Sequence, residues 1–63
     1  MKANYSEFFQ FDEGNAVKVV TRTAEFYGNI ISNKHITERL DLRMRQSSRI
    51  FKYAEIRQIV PTH

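Results

Sequence analysis

Residues 39 to 45 read Arg-Leu-Asp-Leu-Arg-Met-Arg, a strict alternation of charged and apolar side chains. Successive side chains of a strand point to opposite faces. This order therefore puts Leu40, Leu42 and Met44 on a core face, with Arg39, Asp41, Arg43 and Arg45 facing out. Ile36, Leu40 and Met44 also fall at the i, i+4, i+8 spacing of a helix. A helix would move Leu42 off that stripe, whereas a strand keeps it in the core, so the strand is favoured.

The rest of the chain fits that choice. Ala16 to Arg22 is β-branched and predicts a strand, and Ala24 to Ser32 predicts another, with Thr23 in a tight turn between them. Gly28 interrupts the second strand, as expected where a strand bends sharply or another backbone approaches closely. Asn33-Lys34-His35 and Gln46-Ser47-Ser48 read as turns. Arg49 to Tyr53 predicts a fourth strand, Ala54-Glu55 a short helical turn, and Ile56 to Val60 a last strand stopped by Pro61. Residues 1–13 form a lead-in whose Phe8, Phe9 and Phe11 should pack on the rest. Ser6-Glu7 could open a helical turn there, and the rival is a strand turning at Asp12 to Asn15. The expectation is one mostly β domain over residues 1–63, a small five-stranded antiparallel barrel of SH3-like or Sm-like type. The barrel proper spans residues 16–61.

With 63 residues the chain can enclose one small core, and a stable one often needs a partner. There is no cysteine, so neither a disulfide nor a thiolate metal site can form. Two histidines, His35 and His63, are too few for an ordinary structural zinc site. No cofactor is expected, and self-association is. No targeting segment is expected, no apolar run reaches the length of a membrane span, and the lack of cysteine fits the cytoplasm.

Charge divides unevenly. Residues 1–33 carry Lys2, Lys18 and Arg22 against Glu7, Asp12, Glu13 and Glu25. Residues 34–57 carry Lys34, Arg39, Arg43, Arg45, Arg49, Lys52 and Arg57 against Glu38, Asp41 and Glu55. The whole formal excess of +3 is thus C-terminal, the electrostatic footprint of a nucleic-acid binder. The competing explanation is a solvated outer face that uses arginine.

The C-terminal block resembles a known family. Ile50-Phe51-Lys52-Tyr53-Ala54, followed by Ile56, Ile59, Val60 and Pro61, is similar to the end of Sm-like proteins, most of all their bacterial branch, the Hfq RNA chaperones. That family closes with an apolar–Tyr–Lys–His–Ala–Ile block and a short strand ending in Val-Pro. Here Phe51 stands at the Tyr, Lys52 at the Lys and Tyr53 at the His. Phe26-Tyr27-Gly28-Asn29-Ile30 resembles the family's bent second strand. Glu55 is extra, and Asn33 and Lys34 stand near where the family has an aromatic–Asp pair. The resemblance implies a homo-oligomeric ring that binds RNA in a regulatory role, with Lys52 and Tyr53 bordering a nucleotide pocket at its pore. The same ending also resembles other SH3-like barrels, including YolD-like bacterial proteins, in which a one-turn helix precedes the last strand.

Catalysis is not expected, because Ser47 and Ser48 have no histidine placed to serve them and Glu38 with Asp41 sit among arginines. Single-stranded nucleic acid needs rings for the bases and cations for the phosphates. Lys52 and Tyr53 are the candidates for a base site, and Arg39, Arg43, Arg45 and Arg49 for phosphates. The alternative is a non-enzymatic interaction module that pairs an edge strand with a protein partner, with Val19, Val20 and Ile30 as edge candidates. A helical DNA-binding regulator, with helices over residues 34–58, would follow only if the strand assignment failed.

Overall fold

The computed structural model describes residues 5–62. Residues 1–4, which begin the expected lead-in, and His63 lie outside the described residues. Five antiparallel strands form one sheet: β1 (Ala16–Thr21), β2 (Glu25–Lys34), β3 (Arg39–Arg43), β4 (Ser48–Lys52) and β5 (Ile56–Pro61). Their order is β4-β3-β2-β1-β5. One 3₁₀ turn, Ser6–Phe8, precedes the sheet, and another, Tyr53–Glu55, joins β4 to β5. Among the described residues no helix is long and apolar enough to cross a membrane.

Local chemistry sets the turns. Thr21 accepts the Thr23 and Ala24 amides on its hydroxyl at 3.4 and 3.3 Å and donates to the Ala24 carbonyl at 3.1 Å. One side chain thereby holds the tight β1–β2 turn together. Gly14 adopts a positive φ of 88° in the Asp12–Asn15 turn, a conformation glycine takes without a steric penalty. Its amide donates to the Ile30 carbonyl at 2.8 Å and fastens the lead-in to β2.

The sheet curls until residues from both of its ends share one core. Phe51 of β4 and Ile59 of β5 belong to the same buried cluster as Val17, Val19, Ile30, Leu40 and Leu42. The alternation read in residues 39–45 holds through β3: Leu40 and Leu42 are buried, while Arg39 and Arg43 are exposed. Met44 is half-buried beside the core and already lies past the strand. Gly28 marks a close approach. A Cβ built on it would lie 2.2 Å from the carbonyl oxygen of Arg43 and 3.1 Å from Leu42.

Three expectations are corrected. The barrel is not closed, because β4 and β5 end the sheet as its two edges and do not pair. Val19, Val20 and Ile30 are not edge residues, since β1 and β2 each have a strand on both sides. The turn expected at residues 33–35 falls later. Asn33 and Lys34 pair with Leu40 and Arg39 inside the β2–β3 ladder. Asn33 is held there because its side chain is bonded inside the fold.

Gly28→Ala should destabilise the protein by at least about 2 kcal/mol, because the new methyl meets backbone rather than a flexible side chain. Urea unfolding of both proteins measures this, and an unchanged midpoint would remove the close approach as the reason for the glycine.

Candidate nucleic-acid interface

Cross-strand register decides which cations meet. On the outer face Lys34 pairs with Arg39, and Arg39 pairs with Lys52. Three cations thus form a row across β2, β3 and β4, with directly opposite Cβ atoms about 5 Å apart in such ladders. All three side chains are exposed. The next row is Ser32, Asp41 and Ile50, and the one beyond it is Asn29, Arg43 and Ser48. Four cations and one carboxylate therefore share this part of the outer face. Like charges directly opposite one another destabilise a sheet unless an anion lies between them.

Apolar surface accompanies the charge. Ile50 and Tyr27 are each 59% exposed, and Ile31 is 37% exposed. Ile31 is the extra residue of a bulge, because Ile30 pairs with Leu42 and Ser32 with Asp41. The Tyr27 hydroxyl donates to Glu25 at 3.4 Å, which leaves its ring on the outer face opposite Lys18.

The sequence candidates separate. Arg39, Arg43 and Lys52 lie together on the outer face. Arg45 does not, since it sits in the β3–β4 turn. Arg49 pairs with Leu42 and so points to the opposite side of the sheet. Its guanidinium lies 4.8 Å from the Phe26 ring centroid and 5.4 Å from that of Phe51.

Tyr53 is the main correction among the candidates. It is fully buried, with Phe8 edge-on at 5.0 Å, Tyr5 at 5.4 Å and Phe9 tilted at 6.3 Å between centroids. Its hydroxyl donates to Asn33 Oδ1. Asn33 Nδ2 in turn donates to the carbonyls of Phe8 at 2.8 Å and Phe11 at 2.9 Å. The Tyr53 amide donates to the carbonyl of Glu38, which holds a left-handed φ of 57°. With its faces covered and its hydroxyl engaged, Tyr53 has no free face for a base. The pocket that the resemblance assigned to Lys52 and Tyr53 is therefore divided, with Lys52 outside and Tyr53 inside.

Sequence reasoning missed Lys34 and Tyr27. Lys34 was read into a turn after Ser32, and its place in β2 rests on its pairing with Arg39, which local sequence does not show. No family model matches the chain, and comparisons with curated proteins and with solved structures gave no match.

Burial raises the Tyr53 pKa above its ordinary 10.0, and the nearby Glu38 carboxylate raises it further. A raised folded-state pKa contributes stability that is fully present below the unfolded value and is lost as pH climbs through the folded value. Tyr53→Phe should cost about 1–3 kcal/mol near neutral pH, because Asn33 Oδ1 loses its donor. It should also remove the part of alkaline destabilisation that Tyr53 causes above pH 10. Urea midpoints at neutral and alkaline pH test both effects. Equal midpoints at neutral pH would mean that the hydroxyl contributes nothing.

Proposed function

We propose that this protein binds single-stranded nucleic acid, RNA in the first instance, on the outer face of β2, β3 and β4. The observation that carries the proposal is the cross-strand row Lys34, Arg39 and Lys52. Cations held side by side on a rigid sheet are poorly placed for the fold and well placed for a chain of phosphates. Arg43 extends the charge along β3. Tyr27 supplies an exposed ring on the same face, and such a ring stacks any base without regard to sequence. The binding is expected to depend steeply on salt and weakly on base identity. The resemblance to RNA chaperones gives the same substrate class and adds a regulatory role in the cytoplasm.

The test is fluorescence anisotropy with a labelled single-stranded RNA of about 16 nucleotides, over a range of salt. The triple variant Lys34→Ser, Arg39→Ser, Lys52→Ser should flatten the slope of log affinity against log salt by about 2. Its folding stability should be unchanged or higher, because like-charge repulsion is removed. Tyr27→Ala should weaken binding by roughly tenfold without changing that slope. RNA affinity unaffected by the triple variant would refute the proposal.

A further inference from the structure

The open seam between β4 and β5 is a second surface, distinct from the outer face. At its mouth lies a cleft of about 420 Å³ lined by the β1–β2 turn, β4, the second 3₁₀ turn and the start of β5. Arg22, Arg49 and Arg57 all line it, together with Thr23, Phe51 and Glu55. Arg57 comes there by a bulge. Val20 pairs with Gln58 and Thr21 with Ile56, so Arg57 is the unpaired extra residue of β5. The one carboxylate is engaged, as Glu55 Oε1 accepts the Lys52 amide at 3.3 Å. Among the described residues no ion pair within 4.0 Å neutralises the three arginines. Beside them runs the outer edge of β4, to which no strand is paired.

We infer that the seam takes an extended acidic segment of a protein partner, which adds to the β4 edge as a strand and places its carboxylates on Arg22, Arg49 and Arg57. Two observations select this occupant. An unpaired edge gains main-chain hydrogen bonds only from another strand. The aromatic floor is also closed to bases, because Phe51 is fully buried and the Arg49 guanidinium covers Phe26 and Phe51. What the cleft offers is guanidinium forks, which match carboxylates two donors at a time. A strand with acids at alternate positions turns all of them to one side, toward the arginines.

The experiment is an amide chemical-shift titration of the full chain with a synthetic peptide of about ten residues that alternates glutamate and valine. The expected result is shifts in residues 48–52 and at Arg22 and Arg57, with slowed hydrogen exchange in β4. Arg22→Ser with Arg57→Ser, both at exposed positions, should weaken binding at least about tenfold while leaving the spectrum of the free protein folded. A lysine–valine peptide should not bind. The inference is overturned by shifts confined to the outer face, by affinity that ignores the two arginine changes, or by RNA that shifts β4 in the Arg22- and Arg57-dependent way while the peptide does not. It is also overturned if light scattering finds a second copy already seated on β4 that the peptide fails to displace. RNA binding on the outer face is measured separately, so either idea can fail alone.

Discussion

Everything in this small fold leans on the contact between Tyr53 and Asn33. A buried tyrosine brings a large apolar ring and a hydroxyl that must find a partner. Asn33 Oδ1 takes that hydroxyl, and Asn33 Nδ2 donates to the Phe8 and Phe11 carbonyls. One amide side chain thereby joins β2, the link between β4 and β5, and the lead-in. The consequence is architectural. Because β4 and β5 do not pair, the sheet cannot seal its own core. Phe8 and Phe11, 3% and 6% exposed, add core where the sheet supplies none, and the Asn33 bonds hold their backbone in place. In a chain of 63 residues, which can bury little, two more phenylalanines are a substantial part of the core.

The same contact determines what is left for function. Side chains alternate along a strand, so Phe51 inside means Lys52 outside, and Tyr53, the first residue of the 3₁₀ turn after β4, is buried again. Lys52 and Tyr53 therefore cannot share a face. The resemblance to the Sm-like ending pairs the two residues as one site, and the burial of Tyr53 in the turn after β4 is what separates them. The aromatic character of the outer face rests instead on Tyr27, seven residues before Lys34 along β2.

Much of the architecture was legible because it is local. Alternation identified β3, a β-branched run identified β1, and Pro61 marked the end of β5. Gly28 was read as a place of sharp bend or close approach, and the backbone of Arg43 is what approaches it. The short helical turn before the last strand also stands, begun one residue earlier at Tyr53. What was not legible depends on pairing between distant segments. The bulges at Ile31 and Arg57 exist only relative to a partner strand. The direction of Arg49 follows from its register against Leu42, and composition alone made it one more outward cation. The strand order, which leaves β4 and β5 as edges, is likewise a property of the assembled sheet.

The exposed cations thus resolve into two surfaces of different chemistry, with Arg22 joining the basic C-terminal half in one of them. Lys34, Arg39 and Lys52 stand in a row on open sheet, with exposed Ile50 in the next row and Tyr27 seven residues away along β2 on the same face. Arg22, Arg49 and Arg57 line a cleft whose rings are already covered and whose rim is an unpaired strand edge. At physiological salt a charge is screened over about 8 Å, so each group is felt mainly by what lies directly against it. A net charge of +3 therefore understates both surfaces, because among the described residues no acidic residue of the N-terminal half lies within ion-pair distance of either. The outer row suits a flexible polyanion that needs phosphate neutralisation and a ring to stack on. The cleft suits an extended backbone that needs an edge and carries carboxylates. Strand register, rather than the amount of charge, separates the two.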